Sequence, residues 1–354
     1  MSCNKCNEVF RLESSAAKLY WMSEVDELTL KSKIFLKKLG FEVYENGGIH
    51  YIELPNAKLF FEENIDAILG TFNSLESEDI RLHIQNSGTE FNFASILAAK
   101  TLQRYTNLVE DKEFFDIIQN KSLTSYFQPI IKADDRSIYG YEALIRGVKA
   151  NGDLVFPDVL FEKSTRNDLN FKLDRLCRES ALKTAAVKQI TQKVFINFIP
   201  TAIYDPEFCL SSTVKWAKQL EFDPKNIIFE VVETESVKDK EHLNNILKYY
   251  KKQGFEIALD DVGEGYSSLN MLIKLRPDII KIDRNIIQDI HKDELKQSTY
   301  RALYTLAKEN GIKVLAEGVE SSFELEAIES IGVDLIQGYY FGRPSAEPLR
   351  KVNI

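Results

Sequence analysis

"SYFQPIIKADDRSIYGYEALI", residues 125–145, holds two β-rich runs, Ser125–Ile131 and Tyr139–Ile145, joined by only seven residues, KADDRSI. A parallel crossover needs about a dozen residues or more, so this pair must be antiparallel. Six further runs follow: Val194–Ile199, Ile227–Val232, Glu256–Val262, Ile279–Asp283, Lys313–Val319 and Leu335–Phe341. Stretches long enough for a helix separate most of them, among them Lys215–Leu220, His242–Gly254 and Ser298–Gly311. Eight strands with interleaved helices predict an α/β chain folded as a (β/α)8 TIM-like barrel. The short connection makes its first strand the reversed one.

Upstream, the periodicity changes. Lys18–Met22 reads as a strand and Glu27–Leu39 as an amphipathic helix. Phe41–Tyr44 and Ile49–Leu54 flank "ENGG", a turn signal between strands. Asn56–Phe72 reads as a helix and Ile80–Gln85 as a strand. The order βαββαβ predicts a small ferredoxin-like α+β domain over residues 1–89, read as sensory or regulatory, although this plan hosts many functions. Residues 90–120 contain no Pro or Gly, and after the adjacent Ile96 and Leu97 the apolar residues Leu102, Tyr105 and Leu108 follow at spacings of three to five. They predict one connecting helix, or two, ahead of a barrel domain over 121–354.

Composition bounds the class. Apolar content of 44% and charged content of 28% suit a soluble globular protein. No apolar run approaches the roughly 20 residues of a membrane helix, and MSCNKCNEVF lacks the apolar core of a signal peptide. The expectation is a cytoplasmic protein with no membrane segment. Net charge is −9, of which −5 falls in residues 1–110 (11 Lys+Arg against 16 Asp+Glu). No block of like charge reads as a patch for a nucleic acid polymer. Four cysteines are too few for a disulfide framework. Cys3 and Cys6 form a lone CxxC, which reads as a reduced tail more readily than as a metal or redox site.

In a barrel, reactive groups gather at the C-terminal ends of the strands. The polar residues there are Glu142, Asn197, Glu230, Asp260, Asp261, Lys281, Glu317 and Gln337. A lone acid in a strand is usually a surface residue. Polar residues recurring in seven successive apolar runs point instead to one shared site. Five carboxylates in one place need cations. The donors are oxygens, and none of the four histidines lies in these strands, which argues against zinc and for Mg²⁺ or Mn²⁺. Adjacent Asp260 and Asp261 could serve two ions, and two-metal sites perform in-line displacement at phosphorus. Lys281 could orient or deprotonate the attacking water, or neutralise phosphoryl oxygens. The residues alone therefore indicate metal-dependent phosphodiester hydrolysis.

At these same positions the chain resembles the EAL-domain phosphodiesterases, bacterial enzymes that linearise the second messenger cyclic diguanylate (cyclic di-GMP). The resemblance runs from about Tyr126 to Pro344. It rests on YFQPII, EALIRG, FINF, EVVE, DDVGEGYSSL, DIIKID, AEGVE and QGYYFGRP. It implies a (β/α)8 barrel with an antiparallel first strand. It also implies two Mg²⁺ or Mn²⁺ ions, the first held by Glu142, Asn197, Glu230 and Asp260. Asp260 would bridge to the second, completed by Asp261 and Glu317. Lys281 would act on the catalytic water, and Gln337 would hold the hydrogen-bond network. Gln128, Leu144, Arg146 and Asp283 would meet the substrate, and Glu233 would anchor the loop after Asp261. A homodimer through the barrel is implied too. The chain departs from the family pattern at Val262, usually Phe, at Glu264, usually small or neutral, and at Val232, often Thr. No implied ligand is lost. The alternative is a non-catalytic receptor that binds the messenger and relays occupancy through the connecting helix.

Overall fold

Ala17, Leu19 and Trp21 alternate along β1 (Ala17–Met22) and bury one face of a five-stranded sheet. The computed structural model describes residues 10–86, 91–203, 205–232, 240–263 and 268–352. Apart from Thr165–Asn167, one compact unit reaches to Asp116 and the other begins at Ile117. In the first, β1 lies between β3 (Ile49–Leu54) and β4 (Arg81–Asn86), antiparallel to both. The sheet order is β2 (Tyr44–Asn46), β3, β1, β4, β5 (Lys100–Thr101). The β2–β3 hairpin turns through Gly47 and Gly48, since Asn46 pairs with Ile49. Helices Asp26–Lys38 and Ala57–Thr71 cover the apolar face with Phe35, Leu36, Phe60, Phe61 and Ile68. This is the predicted βαββαβ plan.

Two local expectations change. The second strand begins at Tyr44 rather than Phe41, because Phe41 and Val43 pack against the apolar cluster instead of joining the ladder. Residues 93–120 are not one or two continuous helices. They form Phe93–Ala98, Leu102–Glu110 and Lys112–Asn120, interrupted by β5. Arg81 and Leu82 of β4 pair with Thr101 and Lys100 and so satisfy backbone groups that an open edge would leave free. Leu102 and Tyr105 then belong to the first unit's core.

The second unit contains all eight predicted strands: β6 (Leu123–Lys132), β7 (Ile138–Val148), β9 (Lys193–Asn197), β10 (Ile227–Val232), β11 (Glu256–Val262), β12 (Ile279–Ile282), β13 (Lys313–Ala316) and β14 (Leu335–Gln337). A two-residue strand, β8 (Leu154–Val155), flanks β7. Strand β6 pairs antiparallel with both β7 and β14 and closes the barrel. Every other neighbouring pair of barrel strands is parallel. Four strands end earlier than the sequence reading has them, at Asn197, Ile282, Ala316 and Gln337. The apolar runs continue past these points as loop anchors such as Phe198 and Val319, buried against the barrel's outer core.

Inside the barrel lies an apolar layer formed by Ile130, Phe195, Ile228, Ala258, Ile279, Leu315 and Leu335, with half-buried Tyr139 against it. Seven strands each contribute one fully buried side chain, and Tyr139 comes from the eighth. This layer is a floor, and it fixes what stands above it.

Candidate active site at the barrel mouth

Strand side chains repeat on one face every second residue. Two positions beyond Phe195, Ile228, Ala258, Ile279, Leu315 and Leu335 stand Asn197, Glu230, Asp260, Lys281, Glu317 and Gln337. On reversed β6 the count runs backwards, from Ile130 to Gln128, which pairs across the ladder with Glu142 of β7. The apolar floor therefore dictates a polar layer directly over it.

The side chains of that layer form one connected network. Asn197 Nδ2 donates to Glu142 Oε1 at 3.2 Å and to Glu230 Oε2 at 2.9 Å. Lys281 Nζ contacts Glu230 Oε1 at 2.7 Å, Glu317 Oε1 at 2.8 Å and Asp260 Oδ2 at 3.0 Å. Gln337 Nε2 donates to Glu142 Oε2 at 2.7 Å and to Gln128 Oε1 at 3.2 Å. Gln128 Nε2 in turn donates to the Gly342 carbonyl at 3.2 Å. Glu230 is fully buried and Lys281 nearly so.

Asp261 would point away from the mouth in a regular strand, one residue after Asp260. The β11–β12 register instead shifts between Leu259 and Val262, and Asp261 takes a left-handed φ of 54°. Such a bulge re-aims a side chain. Single carboxylate oxygens of Asp260, Asp261 and Glu317 consequently lie within 4.8 Å of one another, in an arrangement that could hold a metal ion. Gly263 follows at φ 112°, where a β-carbon would lie 2.2 Å from Ile286 Cδ1. The chain can leave the bulge by that path only without a side chain. Val262 is buried in the barrel's outer core. Cys3, Cys6, Glu233 and Glu264 lie outside the described residues.

Electrostatics reflect the crowding. Burial pushes the Glu230 and Glu317 carboxyls well above the usual range, against the pull of Lys281. Burial also disfavours the Lys281 ammonium, but Asp260, Glu230, Glu317 and Glu142 together outweigh it and hold that group well above its ordinary value. Asp260, Asp261 and Glu317 offer only oxygens, the donor type that hard divalent cations take.

The remaining predicted residues flank this network. Leu144 and Arg146 continue the Glu142 face of β7 at two-residue steps. The Arg146 guanidinium lies 5.3 Å from the Tyr126 ring centre and 4.8 Å from that of Phe156. Among the described residues its Nε has no hydrogen-bond partner, while Nη1 donates to the Ile145 carbonyl. Asp283 is half-buried, and its side chain accepts from the Asn285 amide at 2.7 Å, capping the short helix Arg284–Ile287. Neither Leu144 nor Asp283 joins the carboxylate network.

Sequence reasoning missed Asp174 and Arg178 on helix Asn170–Val187, a buried ion pair at 2.6 Å. The available signal was an Asp–Arg pair at i,i+4 on the apolar face of a helix, where charge is costly unless partnered.

A family model for the EAL domain matches residues 111–344. The chain belongs to the EAL domain family. Among curated relatives, the EAL chain is 29% identical over 225 residues to the probable cyclic di-GMP phosphodiesterase PdeA of Escherichia coli K12, covering 63% of this chain and 30% of PdeA. It is 29% identical over 256 residues to PdeG of the same strain, covering 70% of this chain and 50% of PdeG. The chain thus spans half or less of these relatives' length. A solved standalone EAL protein from Vibrio cholerae O395, in its c-di-GMP bound form, is 41% identical with a TM-score of 0.59, covering 65% of this chain and 95% of that one. An EAL domain protein from Listeria monocytogenes EGD-e is 28% identical with a TM-score of 0.60, covering 67% and 94%. Among the described residues, no helix is long and apolar enough to cross a membrane.

Proposed function

We propose that this EAL barrel is a metal-dependent phosphodiesterase that opens cyclic di-GMP to the linear dinucleotide pGpG. The observation that carries the reading is the polar layer over the apolar floor: five carboxylates, one lysine and three amides gather at one mouth, and Asp260, Asp261 and Glu317 offer oxygens close enough together that they could hold a metal ion. The relatives' names supply the substrate class.

Glu142, Asn197, Glu230 and Asp260 would hold one Mg²⁺ or Mn²⁺ ion, and Asp260, Asp261 and Glu317 a second. When bound, such a pair supplies Lewis-acid stabilisation and lowers the pKa of water. The chain's own residues fix the geometry. Lys281, held by three carboxylates, offsets their charge and orients the attacking water. Gln337 and Gln128 keep Glu142 from turning. Arg146, beside the Tyr126 and Phe156 rings, offers a forked donor to a phosphate. Leu144 gives the substrate an apolar contact. Asp283 has one oxygen committed to Asn285 and the other available to a guanine edge. In the reaction, water adds to one phosphorus, the bond to the ribose 3′ oxygen breaks, and that oxygen takes a proton.

Incubation of the full chain with cyclic di-GMP and Mg²⁺ or Mn²⁺ should yield pGpG. EDTA and Glu142→Ala should each abolish the product. Tight binding without turnover would overturn the reading. The first unit is proposed to regulate the barrel; equal turnover by residues 111–354 and by the full chain would remove that role.

A further inference from the structure

Asn197 is the last residue of β9, and its carboxamide joins Glu142 to Glu230. Asn197 is held on one side by its pairing with Glu230 in the β9–β10 ladder, and the chain beyond it is held by buried Phe198 and by the bonds that follow. Phe198 N reaches the Glu230 carbonyl only at 3.4 Å. The Ile199 amide, two residues past Asn197, donates at 2.9 Å to Asp174 Oδ1. The other Asp174 oxygen, Oδ2, receives Arg178 Nη2 at 2.6 Å and Nε at 3.1 Å. Arg178 Nη1 donates to Thr213 Oγ1 at 2.9 Å, on helix Ser211–Gln219. Asp174 and Arg178 are 2% and 1% exposed, so neither group has water as an alternative partner.

We propose that Asp174 is a positioning residue that sets the Asn197 carboxamide through the Ile199 amide, with Arg178 and Thr213 locking Asp174. The metal half of this inference rests on the function proposed above; the structural half does not. Groups standing behind a metal ligand typically change metal affinity by about 10–100-fold when removed.

Two double variants isolate the acceptor. Asp174→Asn/Arg178→Met removes the buried charges but keeps an oxygen for the Ile199 amide. Asp174→Leu/Arg178→Met removes the charges and the oxygen. Both variants remove the two buried charges together and leave no unpaired ion, the costly case, so both should fold, as checked by thermal unfolding. The decisive readout is the Asn197 side-chain NH₂ resonance by NMR, assigned with Asn197→Ala. It should stay at its wild-type shift in the Asn/Met variant and move in the Leu/Met variant. Manganese affinity by calorimetry, without substrate, should fall about 10-fold or more only in the Leu/Met variant, and the KM for cyclic di-GMP should stay unchanged. An unmoved Asn197 resonance in a folded Leu/Met variant overturns the inference. A wild-type chain that binds no manganese removes the metal reading, and the resonance comparison still decides the role of Asp174.

Discussion

Lys281→Met tests how the polar layer is balanced. The side chain is 2% exposed and meets Glu230, Glu317 and Asp260 at 2.7, 2.8 and 3.0 Å. At an effective dielectric of about 20, each contact corresponds to roughly 5–6 kcal/mol of Coulomb attraction. Desolvation of the four groups cancels most of that sum. What remains on deletion is the cost of carboxylates left buried without a cation, about 3–5 kcal/mol. Methionine fills much of the lysine's volume, so a cavity contributes little. For a domain of this size each kcal/mol moves Tm by about 2–4 °C, which makes the expected drop about 6–20 °C. The assay is calorimetric unfolding of wild type and variant in EDTA, where no divalent cation can substitute for the ammonium. A drop below about 2 °C would mean that the three carboxylates do not depend on Lys281, and the electrostatic account of the layer would fail. In a separate assay with Mg²⁺ or Mn²⁺, turnover should fall by roughly a hundredfold or more.

Three further outcomes follow from the geometry. Glu324 accepts from the amides of Asp289, Glu320 and Ser321 at 3.0, 2.9 and 3.0 Å, and although burial opposes it, these bonds hold its carboxyl below the usual range. A depressed folded pKa stabilises above the unfolded value near 4.3, and the stability is lost as pH falls through the folded value. Glu324→Gln should therefore cost about 1–3 kcal/mol at pH 7, with a difference from wild type that shrinks on acid titration; a pH-independent difference refutes the assignment. Gly338→Ala would set a β-carbon 2.0 Å from the Val319 carbonyl oxygen, a backbone atom. It should destabilise by about 3 kcal/mol or more and lower turnover by displacing Gln337, whereas wild-type urea unfolding would contradict the close approach. Gln337→Leu should lower Tm by roughly 2–12 °C, because Glu142 loses a buried hydrogen bond worth about 1–3 kcal/mol, and reduce kcat more than KM; unchanged kcat would separate Gln337 from the Glu142 network.

Much of this architecture was legible in the chain because two short-range rules compound. A seven-residue connection forces β6 to run backwards, and period-two alternation then puts the polar residue two places past an inward apolar residue on the same face in the six strands β9–β14. Asn197 over Phe195, Glu230 over Ile228 and Glu317 over Leu315 are sequence facts as much as structural ones. The break in the 93–120 segment was not legible, since nothing in its composition records that β4 has an open edge for Lys100–Thr101 to join. The Asp174–Ile199 bond was hidden for a related reason: pairing with Arg178 at i,i+4 is readable, but the other Asp174 oxygen meets a backbone amide 25 residues away, and a backbone amide has no letter in the sequence. Asp261 is the instructive case. Alternation alone assigns it to the opposite face from Asp260, and the opposite reading came from the chemistry of adjacent acids and from family resemblance, not from periodicity. The structure resolves the conflict at the backbone. A left-handed φ at Asp261, a shifted register and a glycine at 263 cost the strand its regularity, and such a departure persists only where the surroundings over-determine it. The irregular point in an otherwise regular barrel coincides with the three oxygens gathered within 4.8 Å. The strain and the donor cluster are thus one feature, which makes Asp261 the position where alternation should fail if the mouth holds a second cation.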